Sequence, residues 1–458
     1  MVEGTEPGTR GTYYRFGWEG EEPYVVFSNT LRNEILGLGK RMLASGIPQA
    51  DPNVDWSVGK ITRRWLHTII DPLSCQQVID CYSGAKRKRY ERAYEDLVND
   101  GISKSDFVCE AFVKRERFMM SDKGEEETYP RMVYHREYKV ILALLRFLKP
   151  AEHIMLKWKK PMGRFGTGTR FFAKGLNGYQ RSKIIHRKFN SFKCPIVFSL
   201  DCSSFERSVD RLWLESERKF WCSFFKGEHR KELWELFGNM LDINGKTKHG
   251  TRFFRKGGRP SGDPNTGGGN SFIMFKLMFD YYLQHTHIQM DVFDDGDDCL
   301  LFVEFGSIDI DDLVRFFAQR GFILKVENIA KVITDIEFCQ HKPIEWDDNY
   351  YMVRSPLQVF RKFTTCLASV EERDLKLYYQ EVAYCLMSVY GFVPELASIF
   401  KPLAERFDGK IRFKSFYYGM KTPGSSLPLG LVSDLYDEEH DFLRQLSRMF
   451  LLQLNQIG

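Results

Sequence analysis

Hydrophobic positions recur at three-to-four-residue spacing near both ends of the chain, a pattern typical of amphipathic helices. This spacing predicts helices within residues 27–43, 61–82, 372–392 and 438–454. Residues 85–97 predict a charged helix. Its Lys-Arg-Lys-Arg run fits a plain exposed face, with a nuclear address or a nucleic-acid patch as the alternative.

The middle of the chain predicts strands and turns. An apolar run at 196–200 predicts a buried strand that ends at Asp201. Between residues 288 and 305, two apolar runs flank Asp-Asp-Gly-Asp-Asp, which predicts a β-hairpin with a tight turn at Asp295–Gly296. Before this hairpin, the loop RPSGDPNTGGGN leads into a long apolar segment that predicts a helix.

Composition excludes several classes of protein. With 458 residues, 43% hydrophobic and 28% charged, the chain is neither disordered, collagen-like, a coiled coil nor a small disulfide scaffold. Ten cysteines without a C-x-x-C pair disfavour a zinc ribbon or a thioredoxin-like site and fit a reducing cytosol. No apolar run has the length of a membrane span and no signal peptide is evident, so we expect a soluble, intracellular protein.

The net charge of +5 conceals a separation of charge along the chain. Residues 153–200 and 243–262 contain no acidic residue and many basic ones. Residues 277–314 contain no Lys or Arg and many Asp. Such separation suits a molecule that handles phosphate on one side and metal ions on the other.

Two acidic segments are the candidates for holding metal ions: Asp201 with Glu206 after the predicted strand, and the hairpin acids Asp294, Asp295, Asp297 and Asp298. Crowded carboxylates cannot all stay ionised, so the acids of the hairpin need a neutralising partner. Two Mg²⁺ ions fit, because Mg²⁺ takes oxygen ligands and an ion pair about 3.5–4 Å apart stabilises the attacking and leaving oxygens of a phosphoryl transfer. The alternative is an acidic hairpin tip exposed to water.

The loop before the long apolar helix places small hydrogen-bonding side chains near a helix N-terminus, which favours phosphate. Such side chains can also contact a ribose hydroxyl. The alternative is a helix-capping loop, in which Asn270 or Ser271 caps the helix. The loop residues concerned are Ser261, Gly262, Asp263, Thr266 and Asn270.

These segments resemble motifs A, B and C of viral RNA-dependent RNA polymerases, in the order and separations of a palm domain. Motif A corresponds to D-x4-E at Asp201 and Glu206, where the family usually has a second Asp, so the strictness of ribose selection is open. The residues that match motif B are Ser261, Gly262, Thr266 and Asn270, and those that match motif C are Gly296, Asp297 and Asp298.

More closely, the chain resembles the tombusvirus-like group of positive-strand RNA viruses over residues 25–345. SGDPNTGGGN is similar to that group's motif B, and VENIAKVITDIEFCQHKPI is similar to motifs D and E, with EFCQ at 337–340. FVKRERFM and YPRMVYHREYK are similar to motif F. The basic members of this motif are Lys114, Arg115, Arg117, Arg131 and Arg136.

The resemblance implies an α+β right-hand polymerase fold, with fingers, a palm with an antiparallel sheet and a mostly helical thumb. The implied division is 1–195 N-terminal segment and fingers, 196–215 palm with motif A, 216–260 fingers insertion, 261–345 palm with motifs B to E, and 346–458 thumb. The acid-free stretches would line a channel for template RNA, whose binding falls with salt.

The resemblance also implies nucleotidyl transfer from NTPs in viral RNA replication. Two Mg²⁺ ions, for which Mn²⁺ can substitute, would be held by Asp201 and Asp297, with Asp298 as a secondary ligand. Lys331 or Lys325 would protonate the pyrophosphate, and Lys331 is preferred. The residues expected to bind the triphosphate are Lys114, Arg115, Arg117 and Arg131, and those expected to contact the ribose are Glu206, Ser261, Thr266 and Asn270.

Template RNA, product RNA and NTPs are the implied partners, together with other viral replication proteins that supply membrane attachment. The expected location is the host cytoplasm, in membrane-associated replication complexes. A reverse transcriptase is the alternative enzyme, although its motifs B and C differ. A catalytically inactive RNA-binding or assembly protein that retains the palm is the alternative from another class.

Overall fold

The computed structural model describes residues 2–4, 13–15, 24–119, 129–163, 166–346, 349–367, 370–391, 393–410, 412, 449–451 and 454. The helices are α1 (Leu31–Gly37), α2 (Gly59–Trp65), α3 (Cys75–Asp80), α4 (Gly84–Asp100), α5 (Tyr138–Met155), α6 (Gly178–Phe189), α7 (Phe205–Ser208), α8 (Arg211–Cys222), α9 (Gly227–Gly238), α10 (Thr266–Gln284), α11 (Ile310–Ala318), α12 (Pro356–Phe363), α13 (Leu375–Tyr390) and α14 (Pro394–Ala404). The strands are β1 (Val2–Gly4), β2 (Tyr13–Arg15), β3 (Tyr24–Val26), β4 (Cys109–Val113), β5 (Arg117–Met119), β6 (Met132–His135), β7 (Pro195–Ser203), β8 (Asp242–Thr247), β9 (Arg252–Lys256), β10 (Met290–Asp295), β11 (Asp298–Glu304), β12 (Ile323–Ala330), β13 (Lys342–Trp346), β14 (Asn349–Val353) and β15 (Thr365–Cys366).

Most of the predicted elements are present, and the chain is α+β. The first predicted helix is α1 continued by a π-helical segment at Leu38–Leu43. The second is interrupted between α2 and α3, where Asp71-Pro72 disfavours helical backbone. The last, 438–454, lies largely outside the described residues.

The central sheet positions the acidic residues. Its strand order is β10–β11–β7–β12, and every neighbouring pair is antiparallel. One face of β7 packs Phe198 and Leu200 into the largest apolar core, with α5, α8 and α10. The opposite face packs Val197 into a second core with Ile185 of α6 and Phe338. Burial on both faces explains why these strands are continuous apolar runs rather than alternating ones.

Two other regions are organised separately from this sheet. A second four-stranded sheet has the order β6–β4–β8–β9, in which β4 and β8 are parallel and the other pairs antiparallel. Toward the C-terminus, α12, α13 and α14 enclose an apolar core of their own. Throughout the described ranges, each helix is too short or too polar to cross a membrane.

Part of the charge separation seen in the sequence is cancelled in space. The Nζ of Lys188 lies 2.7 Å from Asp291, and Arg181 lies 2.6 Å from Asp295, so two basic residues of the stretch 153–200 neutralise two acids of the block 277–314. The prediction that the stretch lines a template channel is wrong for Lys188, which is completely buried. Its ammonium group neutralises the buried carboxylate of Asp291.

The loop before α10 is fixed by a buried ion pair. Arg259 and Glu217 are both about 1% exposed, and Arg259 Nη2 donates to Glu217 Oε2. Glu217 Oε1 also accepts from the Asn265 amide at 2.9 Å and from Trp221 Nε1 at 2.8 Å. The carboxylate therefore ties α8 to the start of α10.

Removing the charge of Glu217 is expected to destabilise the protein strongly. Glu217→Gln leaves Arg259 buried without a counter-charge, which costs about 3–5 kcal/mol of unfolding free energy. Glu228→Gln is the matched control, because Glu228 forms an exposed pair with Lys231 and its loss costs about 0.5 kcal/mol or less. Denaturant unfolding of both variants measures the difference, and equal effects would contradict the role assigned to Glu217.

Candidate active site

The β10–β11 hairpin presents the acidic turn. Asp295 and Asp298 are the last paired residues, and Gly296 and Asp297 form the two-residue connection. Gly296 has φ +98°, a conformation that side chains rarely adopt, which explains glycine at this position. The predicted hairpin is confirmed, with its turn one residue later than expected. Asp297 lies exposed at the tip.

The neighbouring strand brings Asp201 to the same end of the sheet. Leu200 of β7 pairs with Cys299 of β11, so the next residues outward are Asp201 and Asp298. A cavity of about 420 Å³ opens there. Its lining includes Asp201, Asp297, Asp298, Glu327, Glu337, Cys339, Gln340, Arg131 and Arg354.

The carboxylates of the cavity repel one another. Burial, and then the charge of Asp297, raises the pKa of Asp201. Burial and the charges of Asp297 and Asp201 raise the pKa of Asp298 to about 7. Burial and Asp201 also raise the pKa of Glu327. Each shift reports the cost of burying a carboxylate and, beyond that, of placing negative charges together, as expected for a site that a cation completes.

The donor set fits a divalent cation held jointly with a substrate. No group of three or more His, Cys, Asp and Glu side chains is already closed into a ligand cluster within the described residues. Mg²⁺ commonly uses only one or two carboxylates and completes its shell with water and substrate phosphates. Asp201 and Asp297 supply such a pair of carboxylates.

The four acids of DDGDD have different environments. Asp294 is fully buried, and burial raises its pKa well above the usual range, while Ser271 and the backbone of Gly296 act in the opposite direction. Asp295 is paired with Arg181. Only Asp297 and Asp298 line the cavity. The alternative of a fully hydrated acidic tip therefore does not describe this hairpin.

Glu206 lies close to the same carboxylates. It is on the short helix α7, which follows Ser204 in the left-handed conformation at φ 55°. Burial, and then the charge of Asp297, raises its pKa to about 7, while Arg259 and Arg131 act in the opposite direction. The structure therefore brings the second acid of motif A together with the acids of motif C.

The Ser-Gly-Asp loop packs against β6. Ser261 Oγ donates to the carbonyl of Met132 at 2.9 Å, and Thr266 Oγ1 donates to the carbonyl of Pro260 at 2.9 Å. A Cβ on Gly262 would overlap the carbonyl oxygen of Tyr134, so only glycine allows this approach. The hydroxyls thus hold the loop in place and keep lone pairs for a ligand.

Helix α10 begins at Thr266, with Asn265 as its N-cap residue, five residues earlier than a cap at Asn270 would place it. The capping alternative is therefore wrong. Asn270 is 6% exposed, and its Oδ1 has no hydrogen-bond partner in the part of the chain that is described. Its Cβ lies 3.8 Å from where a Cβ on Gly296 would be, so Asn270 is adjacent to the turn that carries Asp297.

Three consecutive glycines in the first turns of α10 accommodate charged side chains. A Cβ would overlap Lys174 at Gly267, Glu152 at Gly268, and Glu217 at Gly269. Burial raises the pKa of Glu152 to about 7. This packing explains the Gly-Gly-Gly sequence, which is otherwise unfavourable within a helix.

The basic residues of motif F have different environments. Arg131 lines the cavity and lies 3.7 Å from Glu116, which also pairs with Lys114 at 2.7 Å. Arg115 is partly buried, and Arg117 lies on β5 with its side chain outside the described part. Arg136 differs from these.

Arg136 is a structural residue. Its guanidinium is 1% exposed and holds Asp263 through two hydrogen bonds, Nε to Oδ1 at 2.7 Å and Nη2 to Oδ2 at 3.2 Å. Its Nη1 donates to the carbonyl of Phe107. Arg136 thus attaches the Ser-Gly-Asp loop to the segment between β6 and α5.

The structure does not bring Lys331 to the carboxylates. Ala330 pairs with Val197, four residues from Asp201, or roughly 13 Å along the strand. The Nζ of Lys331 lies 5.0 Å from the ring of Phe305, at the opposite end of the sheet. Lys325 instead pairs directly with Asp201. The preference for Lys331 is therefore not supported, and Lys325 is the lysine within reach.

Two features of the cavity were missed in the sequence. The register of β12 against β7 shifts between Val326 and Asn328, so Glu327 is the extra residue of a β-bulge that directs a further acid to the site. Cys339 and Gln340 both have positive φ, 52° and 63°, in a tight turn closed by Phe338 and His341. Neither a bulge nor a glycine-free turn of this kind has a clear local signature.

Comparison with known proteins gives a consistent result. A family model described as viral RNA dependent RNA polymerase matches residues 7–419. The RNA-directed RNA polymerase of Tobacco necrosis virus (strain A) is 28% identical over 344 residues, which cover 74% of this chain and 46% of that protein. The RNA-directed RNA polymerase of Tobacco necrosis virus (strain D) is 31% identical over 296 residues, which cover 63% of this chain and 40% of that protein.

The RNA-directed RNA polymerase of Oat chlorotic stunt virus is 30% identical over 311 residues, which cover 66% of this chain and 40% of that protein. The chain therefore spans less than half the length of each of these three relatives. The similarity covers all the segments that form the cavity.

Gly262→Ala is expected to destabilise the loop before α10. The added methyl group overlaps a backbone oxygen of β6, and relief of this overlap requires movement of the loop, at a cost of about 1–3 kcal/mol. Gly59→Ala is the matched control, because a Cβ there meets no atom within 4 Å. The free energies of unfolding of the two variants check this, and a neutral Gly262→Ala would contradict the packing described.

Neutralising Asp298 is expected to stabilise the metal-free protein at high pH. Its pKa is raised in the folded state, so the folded state binds more protons than the unfolded state between about pH 4 and 7 and loses stability as pH rises through this range. Because Asp298→Asn removes this penalty, it is expected to raise the free energy of unfolding by about 1–2 kcal/mol at pH 8 and to leave it nearly unchanged at pH 4.

Thermal unfolding in EDTA at both pH values measures this effect. Asp96→Asn, at an exposed position on α4, is the control. A stabilisation of Asp298→Asn that does not depend on pH would contradict the electrostatic origin.

Proposed function

We propose that this chain, which belongs to the viral RNA-dependent RNA polymerase family, catalyses template-directed RNA synthesis from NTPs and so replicates a viral RNA genome. The observation that carries the proposal is the convergence of Asp201 and Asp297 at one end of the central sheet, beside Glu206 and the loop that begins at Ser261. The proposed reaction is attack of a 3′-hydroxyl on the α-phosphate of an NTP, with pyrophosphate leaving.

Asp201 and Asp297 would hold divalent cations, with Asp298 as a secondary ligand. Two Mg²⁺ ions, or Mn²⁺ in their place, would supply neutralisation of the charge that develops on the attacking and leaving oxygens. The raised pKa values of Asp201 and Asp298 support this assignment, because burial and neighbouring carboxylates raise both even though Lys325 and Arg131 act in the opposite direction on Asp201.

The other residues bind and orient the nucleotide. Arg131 and Lys114 stand at the cavity side of motif F, with Arg115 and Arg117 in the same motif, and guanidinium groups suit bidentate binding of a triphosphate. Lys325, opposite Asp201, is the proposed proton donor to pyrophosphate in preference to Lys331.

The ribose is the proposed ligand of the polar residues around α10. Asn270 and Glu206 lie beside the hairpin turn, and Ser261 and Thr266 belong to the loop and helix start that lead to Asn270. These four residues would contact the 2′-hydroxyl, the group that distinguishes RNA from DNA precursors. The buried, unpartnered Oδ1 of Asn270 supports this, because such an atom lacks the hydrogen bond that a ligand would provide.

We assign the right-hand layout on the same basis. The central sheet forms the palm, with residues 196–215 and 261–345; residues 1–195 and 216–260 form the N-terminal segment and fingers, and 346–458 the thumb. The separate apolar core of α12–α14 supports an independent thumb unit. Host cytoplasm, at membrane-associated replication complexes formed with other viral proteins, is the proposed location.

Asp297→Asn is expected to reduce template-dependent NTP incorporation by at least about 100-fold, because it removes a carboxylate that balances charge in the transition state. Asp96→Asn, on the exposed face of α4, is expected to retain full incorporation. The assay measures incorporation of labelled NTP on a hairpin RNA with Mg²⁺ or Mn²⁺, and thermal unfolding confirms that both variants are folded.

Equal, negligible incorporation by wild type and Asp297→Asn with either ion would refute the polymerase proposal and favour a catalytically inactive RNA-binding protein. Parallel reactions with dNTPs separate the remaining alternative. Preference for dNTPs would identify a reverse transcriptase, whereas exclusive use of NTPs supports ribose recognition around Glu206.

A further inference from the structure

The second four-stranded sheet has one packed face and one open face. Its packed face joins an apolar core with the segment after α1, formed by Leu38, Met42, Cys109, Ala111, Val113, Met132, Tyr134, Ile243 and Phe253. Arg255, on this face, donates to the carbonyl of Arg207 at 2.6 Å, next to Glu206. The opposite face is therefore turned away from the cavity that contains Asp297.

Two phenylalanines stand on the open face. Phe254 of β9 is 59% exposed and Phe112 of β4 is 40% exposed. The register places them on strands separated by β8, about 10 Å apart across the sheet and about 13 Å apart along it. The solvated face of an antiparallel sheet is ordinarily polar, so two aromatic rings here require an explanation.

Two basic residues lie between the two rings. Lys246 of β8 and Arg252 of β9 are directly opposite each other, an arrangement that is destabilising in an isolated sheet. Neither forms an ion pair within the described ranges, and Glu110, opposite Lys246 on β4, is the acid nearest in register. Lys256 continues the same face, and its partner Asp242 is already bound to Arg211 at 3.0 Å.

We infer that this open face binds single-stranded RNA, as a contact surface separate from the catalytic cavity. Phe112 and Phe254 stack on unpaired bases, Lys246 and Arg252 bind the intervening phosphates, and Lys256 binds a phosphate beyond Phe254. An adjacent cation pair with a ring on each side complements a polyanion that carries aromatic faces, whereas an apolar protein partner would leave the cations buried without counter-charges. The choice of RNA rests on the proposed function.

Removal of the rings tests the stacking component. Phe112→Ala combined with Phe254→Ala is expected to weaken binding of a fluorescent 12-nucleotide RNA by at least about fivefold. Phe305→Ala, at a ring that is 63% exposed elsewhere on the protein, is the matched control and leaves affinity unchanged. With 4-thiouridine in the RNA, cross-links are expected on residues 109–114 and 242–257.

Removal of the cations tests the phosphate contacts. Substitution of Lys246, Arg252 and Lys256 by Ala is expected to reduce the slope of log affinity against log salt by about 2, at about 0.7 for each phosphate contact. Substitution of Lys219, Lys226 and Lys231 by Ala removes the same charge from the exposed sides of α8 and α9 and leaves the slope nearly unchanged.

An unchanged affinity and slope in both sets of variants, or cross-links confined to peptides around the cavity, would overturn the inference. So would capture of a protein through this face with RNA binding intact. Incorporation of NTP on a short hairpin template is measured in parallel. Variants that retain incorporation but lose RNA binding would support a contact surface separate from the catalytic cavity. A wild-type protein that binds RNA through this face but incorporates no NTP would contradict only the proposed function.

Discussion

Repulsion between carboxylates at one end of the central sheet is the constraint on which the rest of the site depends. Two unit charges 4 Å apart near a protein surface repel by about 4 kcal/mol. Burial, and then the charge of Asp297, raises the pKa of both Asp201 and Asp298, so this repulsion adds to the cost of desolvating the two carboxyls in the folded chain. Each fully buried Val, Leu or Phe contributes about 1.5–3 kcal/mol, so the apolar core on both faces of β7 readily offsets it.

The loop before α10 is held to the sheet by charge rather than by apolar packing. Arg136 binds Asp263, and Arg259 binds Glu217, in both cases almost without solvent contact. Buried ion pairs add little net stability, because desolvation cancels most of their attraction, but they tolerate few geometries. We infer that their role is to fix the position of Asn270 and Ser261 relative to the hairpin.

The sequence was informative where a feature depends on neighbours along the chain. The hairpin at Asp297, the strand that carries Asp201 and the apolar helix α10 follow from local periodicity and turn chemistry, although β7 continues to Ser203 and α10 already begins at Thr266. The bulge at Glu327 and the opposition of Lys325 to Asp201 depend on how β12 pairs with β7, far away in sequence. Pairing register of this kind leaves no local pattern from which Lys325 could be chosen over Lys331.

The role of the charged residue Arg136 likewise could not be predicted from its local sequence. In the sequence it is one of several basic residues of motif F. Its buried pairing with Asp263, 127 residues away, depends on the fold. Likewise, Lys188 and Arg181 neutralise acids of the block 277–314, so that Asp297 and Asp298 are left without a cationic partner among the described residues. Within the described residues, the fold thus pairs Asp291 and Asp295 with buried or half-buried cations and leaves Asp297 and Asp298 at the cavity without an ion pair. An unsatisfied charge is expensive unless a ligand completes it, so such residues mark where the molecule binds its substrates.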